Sequence, residues 1–148
     1  MSLEQWQENG WIRRVEASAS DLANLIGVAR REVADASLAD ISADGRFDHA
    51  YGAVRALCQV ALLASGYSTT KGTREHERTI ESIKFTIDGQ WTERADYLDR
   101  CRRIRHQSLY DRAGVVQIRD ADKLLETAQS LLGAIDDWLR RDHPGLLS

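Results

Sequence analysis

The chain has 148 residues, the size of a single domain, with 43% hydrophobic and 29% charged side chains and a formal net charge of −3. One proline and ten glycines exclude collagen-like and proline-rich chains, and four tryptophans with long apolar-periodic stretches exclude disorder. Two cysteines are too few for a disulfide scaffold, so we expect buried thiols in a reducing compartment.

Hydrophobic periodicity predicts helix along nearly the whole chain, and no stretch alternates in the way a strand requires. We expect one domain over residues 1–148, an all-α, antiparallel four- to five-helix up-and-down bundle. Its predicted helices are a short leading one at about residues 3–9 and a bundle, about residues 18–141, made of residues 18–36, 44–65, 74–87, 92–110 and 120–141.

Local signals predict where these helices begin and end. The expected N-caps are Ser18, Ser20 or Asp21 for the first bundle helix, Asp44 for the second and Thr73 for the third, because their side-chain oxygens can accept hydrogen bonds from the first free backbone amides. Gly66 is the expected end of the second bundle helix. The first residues resemble no targeting segment, and the longest apolar run covers only residues 60–64, so we expect a cytoplasmic protein with no membrane partner.

A search for chemical motifs excludes several kinds of site. The four histidines are scattered and show no spacing typical of a zinc site, and neither a glycine-rich phosphate loop nor a nucleophile turn is present. We therefore predict no metal and no cofactor. The basic side chains are concentrated in residues 94–119, which hold seven arginines against three aspartates, a local balance of +4.

One arginine of this segment occupies an unexpected position. On an ideal helix Arg105 lies in the apolar arc with Leu98, Cys101 and Leu109, whereas its neighbour Arg103 faces the polar side. An unpaired buried guanidinium is costly. Arg105 therefore needs a carboxylate (Asp111 or an acid of the last helix), carbonyl partners, a subunit interface, or a water-filled cleft that receives an anion.

The chain resembles the HEPN domain family of small helical bundles in prokaryotic defence and toxin–antitoxin systems. The resemblance rests on residues 47–53 (FDHAYGA), on residues 62–67 (LLASGY) followed by 73–76 (TREH), and on residues 105–111 (RHQSLYD). The last segment is similar to the family's Arg-polar-x-x-x-His motif in a variant form that ends Tyr-Asp. Together with the last helix, the resemblance covers about residues 15–141.

The resemblance implies a metal-independent endoribonuclease, in which the ribose 2′-hydroxyl attacks the adjacent phosphorus while a base, an acid and a cation assist. It also implies a homodimer with the cleft at its two-fold interface. Carried over by position, Arg105, His106 and Tyr110 are the predicted catalytic residues, with Tyr110 in place of the family's histidine. Arg102, Arg103 and Asp111 are the predicted substrate-binding residues.

Three functions stay open at this point. The first is an RNA-directed protein, either a weakened nuclease or an RNA binder. The second is a non-catalytic module that binds a nucleotide or a partner protein such as the nucleotidyltransferase-like neighbours of family members. The third is a helical dimer without a site, in which a carboxylate of the same protomer neutralises Arg105. Four tryptophans in so small a bundle indicate that some lie at a dimer interface.

Overall fold

The computed structural model describes residues 1–87, 89–110 and 116–147, and of residues 108–110 it describes the backbone only. The predicted all-α helical bundle is confirmed. Along the chain the elements are α1 (Leu3–Glu8), β1 (Ile12–Arg14), α2 (Ala19–Ala36), α3 (Ala43–Ala64), β2 (Tyr67–Thr69), α4 (Glu75–Glu81), α5 (Gly89–Tyr110) and α6 (Ile118–Asp142). Short 3-10 turns follow α4 and α6.

Helix α3 is the centre of the bundle. It packs most extensively against α2 and α6 and also contacts α4 and α5. Half of its residues are buried, and they lie on several sides of the helix, with Phe47, Val54 and Leu57 each at most 1% exposed. A helix that is apolar on several sides is typical of a central position, because every face must meet another helix. The cleft described below opens along one side of α3.

The helix ends differ from the predictions in detail. Ser18 caps α2 as predicted, but the cap of α3 is Ser42 rather than Asp44, which lies in the first turn. Thr73 does not cap α4, whose N-cap position is Arg74 and carries no side-chain hydrogen bond. The predicted helix over residues 74–87 is shorter, because α4 changes into a 3-10 turn after Glu81.

A two-stranded antiparallel sheet is a feature that the sequence analysis did not predict. Strand β1 pairs with β2 in the register Ile12 to Thr69 and Arg14 to Tyr67. Three-residue strands are too short to show a period-two pattern, so hydrophobic periodicity cannot reveal them. The predicted end of α3 at Gly66 is confirmed, and its φ of +98° turns the chain directly into β2.

The tryptophans give no support for a dimer interface. Trp6, Trp91 and Trp138 are buried within the chain, at 2%, 3% and 6% exposure. Trp11 is partly buried and lies under the guanidinium of Arg78, 4.5 Å from the ring centroid. One bundle therefore hides three of the four rings, and the homodimer stays a prediction.

Other predictions from composition can be compared directly with the structure. Both cysteines, Cys58 and Cys101, are free and buried, as expected. Burial raises the pKa of the Cys101 thiol to about 11, so it is protonated near neutral pH. None of the helices in the described part of the chain combines the length and the apolar character that crossing a bilayer requires.

Candidate functional site

A cleft of about 300 Å³ lies where α3, the loop before α4, α4 and α5 meet. Helix α5 brings two of the predicted arginines to it, and α4 brings a histidine and two acids. The residues that line the cleft are Tyr51, Gly72, Thr73, Glu75, His76, Glu77, Arg102, Arg105 and His106. Three of the six predicted site residues, Arg102, Arg105 and His106, thus meet in one place.

Arg105 has an acid of its own chain as a partner. Its Nε donates a hydrogen bond of 2.7 Å to Oδ1 of Asp48, on α3. Of the alternatives left open, a carboxylate of the same protomer, expected for the helical dimer without a site, is therefore present; it lies on α3 and not on the last helix, and Asp111 lies outside the described residues. Sequence spacing could not identify it, because Asp48 is 57 residues away along the chain. Two residues of the predicted apolar flank, Leu98 and Cys101, are buried, and the side chain of the third, Leu109, lies outside the described residues. Arg105 itself keeps 27% of its side chain exposed.

Arg102 is held in the same way as Arg105. Its Nε donates to Oδ1 of Asp99 over 2.9 Å, and its Nη2 lies 3.9 Å from Oε1 of Glu77, beyond hydrogen-bond distance. In both arginines an acid orients the guanidinium through Nε. Among the described residues, the Nη atoms of Arg102 and Arg105 donate no hydrogen bond. These atoms are the donors that a bidentate anion uses.

Of the three remaining predicted residues, only Arg103 has a described side chain, and it does not line the cleft. Arg103 is 64% exposed, and its Nε is 3.5 Å from Oδ2 of Asp99, the acid that also holds Arg102. Asp111 and the side chain of Tyr110 lie outside the described residues. The substrate-binding role predicted for Arg103 therefore has no support from its position, since it does not line the cleft.

Tyr51 is a site residue that the sequence analysis did not single out. It lines the cleft although only 1% of its surface is exposed, and its hydroxyl has no hydrogen-bond partner among the described residues. The guanidinium carbon of Arg105 lies 5.3 Å from the centroid of its ring. Burial raises the pKa of Tyr51 to about 12, so the hydroxyl keeps its proton and can donate it in a hydrogen bond.

Tyr51→Phe separates binding from stability. An unpaired buried hydroxyl costs free energy, so its removal is expected to leave the free energy of unfolding unchanged or to raise it by about 1 kcal/mol. Binding of an anion in the cleft is expected to weaken by a few-fold in the same variant. Urea unfolding and phosphate titration measure the two effects, and a clear loss of stability would contradict the unpaired state of the hydroxyl.

His76 is the second residue that the sequence analysis did not assign to the site. It lies exposed at the rim of the cleft, and Nη1 of Arg55, on α3, is 3.1 Å from its Nε2. Partial burial, which removes water from the ring, lowers the pKa of His76, and the charge of Arg55 lowers it further. The TREH motif contains this histidine, but no spacing rule connects it with residues 102–106.

Two acids of α4 complete the lining. Glu77 accepts a hydrogen bond of 2.7 Å from Nε of Arg74, and this bond lowers the pKa of the Glu77 carboxyl. Glu77 therefore stays ionised near neutral pH. With Glu75, the two carboxylates formally offset the charges of Arg102 and Arg105, so the arrangement of the donors matters more than the net charge.

A separate group of side chains could hold a divalent cation. Glu32 and Asp35, on α2, and His49, on α3, place their ligand atoms within 4.8 Å of one another. His49 Nδ1 and Glu32 Oε2 are also 2.9 Å apart, which satisfies these two groups by a direct hydrogen bond. The prediction of no metal considered spacing along single segments, and it could not include residues from two helices.

Comparison with known proteins leaves the function to be argued from the cleft. No family model, no curated protein and no solved structure matches the chain. The resemblance to the HEPN family is therefore a prediction from residues 47–53, 62–67, 73–76 and 105–111. The geometry of Tyr51 and the neighbouring arginines is independent of that resemblance.

Proposed function

We propose that the cleft binds the phosphate backbone of RNA and cleaves it without a metal, as the resemblance to the HEPN family implies. The observation that supports this most directly is that Arg102 and Arg105, both oriented through Nε, line one cleft with Tyr51, whose hydroxyl has no hydrogen-bond partner among the described residues. A phosphate offers several acceptor oxygens and can accept from both guanidinium groups at once; the Tyr51 oxygen is buried in the free protein and adds a third donor once the wall around it opens.

The chemistry of RNA suits the residues that line the cleft. The 2′-hydroxyl is a nucleophile within the substrate itself, so cleavage needs only proton transfer and stabilisation of the charge on phosphorus. Arg102 and Arg105 supply positive charge, and His76 and His106 supply two imidazoles, the side chain that most often transfers protons in catalysis. A volume of about 300 Å³ is enough for a nucleotide-sized part of the strand.

The test compares two arginine variants on single-stranded RNA in EDTA. Arg105→Gln is expected to weaken RNA binding about tenfold and to reduce cleavage, because it removes one guanidinium from the cleft. Arg140→Gln is the matched control, since Arg140 is 70% exposed on α6 and does not line the cleft. The proposal fails if the wild-type chain leaves RNA intact, or if both variants bind and cleave like the wild type.

A second candidate function is a non-catalytic module that binds a protein partner. It is favoured by the acids that accompany every arginine of the cleft, namely Asp48, Asp99 and Glu77, because a formally balanced surface suits a protein interface. The partner proposed by the resemblance is a nucleotidyltransferase-like protein encoded in a neighbouring gene. Two results together would favour this function over cleavage. The partner protein co-purifies with the wild-type chain but not with Arg105→Gln, and the wild-type chain leaves RNA intact.

The homodimer belongs to the same proposal. In the family that the sequence resembles, two motifs face each other across a two-fold axis. We therefore expect sedimentation to give twice the mass of the 148-residue chain. A monomeric mass at micromolar protein concentration would contradict the homodimer and would mean that each particle has one cleft.

A further inference from the structure

We propose that His76 is the general base of the cleavage reaction and that Arg55 is a positioning residue that frees it when phosphate binds. This inference rests on the proposed function, because it names the group that takes the proton from the 2′-hydroxyl. The sequence motif at residues 105–111 points instead to His106 and Tyr110. The assignment of His76 comes from the contact between α3 and α4.

The contact with Arg55 fixes the protonation of the imidazole. A guanidinium has no acceptor atom, so the 3.1 Å contact places an Arg55 N–H as donor and Nε2 of His76 as acceptor. Nε2 then carries a lone pair, and the neutral ring carries its hydrogen on Nδ1. His76 is therefore held as a base in the free protein, with the lone pair occupied by Arg55.

A bound phosphate gives Arg55 a better partner. The bond from Arg55 to the neutral imidazole has only one charged partner, whereas a bond to an anionic phosphate adds the attraction between opposite charges. Arg55 is half-buried, does not itself line the cleft, and contacts His76, which does; its flexible side chain can turn from the imidazole to the oxygen of a phosphate bound beside it. This exchange leaves the Nε2 lone pair open at the moment when the ribose is in place.

The reaction then balances with residues of the cleft. The 2′-oxygen forms a bond to phosphorus as its proton passes to Nε2 of His76, and the bond from phosphorus to the 5′-oxygen breaks. The leaving 5′-oxygen takes a proton from His106, which lines the same cleft. The products are a 2′,3′-cyclic phosphate and a 5′-hydroxyl, and proton exchange with water restores both imidazoles.

Charges from three helices surround His76. Arg55 of α3 and Arg102 and Arg105 of α5 disfavour the protonated ring, whereas Glu75 of α4 favours it. Partial burial and the three arginines outweigh the effect of Glu75, so the pKa of His76 is lowered. A histidine with a lowered pKa keeps its base form to a lower pH than an ordinary histidine, whose pKa is about 6.5.

The first test is His76→Gln, with His143→Gln as the matched control at the end of α6. His76→Gln is expected to reduce cleavage by about 100-fold or more while RNA affinity stays within about twofold of the wild type. His143→Gln should change neither. If wild-type RNA cleavage is seen and His76→Gln retains it, only the assignment of His76 is overturned. If the wild-type chain cleaves no RNA, the proposed function is overturned as well.

The pH profile tests Arg55. Arg55→Gln removes a positive charge beside the imidazole, so the pKa of His76 rises towards its ordinary value. The acidic limb of the cleavage profile should then move to higher pH, whereas Arg55→Lys, which keeps the charge, should move it less. A purely structural role of Arg55 would lower activity equally at every pH, and an unchanged limb in Arg55→Gln would overturn its part in the proposal.

Nitrogen-15 NMR of the imidazoles gives a readout that does not depend on cleavage. At pH 7 the free protein should show His76 as the neutral ring with its hydrogen on Nδ1, and added inorganic phosphate should shift the Nε2 resonance as Arg55 leaves. A doubly protonated His76 at pH 7, or a resonance that phosphate does not move, would overturn the proposal.

Discussion

Replacing Arg102 and Arg105 together by glutamine is expected to weaken RNA binding by roughly 100-fold at low salt, about tenfold for each guanidinium. Each contact between a cation and a phosphate also releases about 0.7 of a counterion from a single strand. The slope of log affinity against log salt should therefore fall by about 1.4. Filter binding or fluorescence anisotropy at several salt concentrations measures both quantities.

The control for this double variant removes the same number of positive charges at a place away from the cleft. Arg140 and Arg141 lie in the last turn of α6, 59% or more exposed, so their double glutamine variant removes the same charge away from the cleft. It should keep nearly all of the affinity. Equal losses in the two double variants would mean that RNA responds to net charge alone, and the cleft would lose its assignment.

Trp6→Ala is expected to destabilise the protein by about 3–5 kcal/mol, the loss typical of a buried tryptophan. Trp6 is 2% exposed, and its ring meets those of Trp11 and Phe85 edge to face, at centroid distances of 5.8 Å and 5.3 Å. These rings belong to a small cluster, with Ile12 and Tyr67, that joins α1 to the sheet. The apparent melting temperature should fall by roughly 10 °C.

Trp11→Ala is the matched control for that loss. Trp11 is only partly buried and its ring contacts are Trp6, edge to face, and the cation of Arg78, so its removal should cost about 1–2 kcal/mol, less than that of Trp6. Chemical unfolding monitored by circular dichroism compares the two variants. If they lose the same stability, the small cluster does not depend on Trp6, and the sheet with α1 must be held by the main core instead.

The helices could be predicted because each carries its own repeating signal. Helix α6, for example, has Leu124, Leu131 and Ile135 on one face, and all three are at most 1% exposed. The period of 3.6 residues depends only on local spacing, so it can be read without any knowledge of the neighbours. Strands β1 and β2 are stabilised by pairing across 50 or more residues of chain, and no local period marks them.

The site could be predicted only along one helix. The periodicity of α5 indicated that Arg105 lies against the core, the resemblance singled out His106, and the RNA hypothesis added Arg102 as a substrate contact; all three line the cleft. The sequence analysis did not assign Asp48 or Tyr51 to the site, because both belong to α3 and approach α5 only after the bundle forms. The acid that pairs with Arg105 was consequently expected in the wrong elements.

The sequence by itself determined an all-α bundle, the approximate course of its helices and an arginine at a position where an apolar side chain is usual. Those properties follow from composition and from intervals of three and four residues, which are local. Only the tertiary structure decided that Asp48 pairs with Arg105 and that Arg55 contacts His76. These contacts depend on how α3 packs against α4 and α5, and packing distances between helices are not encoded in the spacing within any one of them.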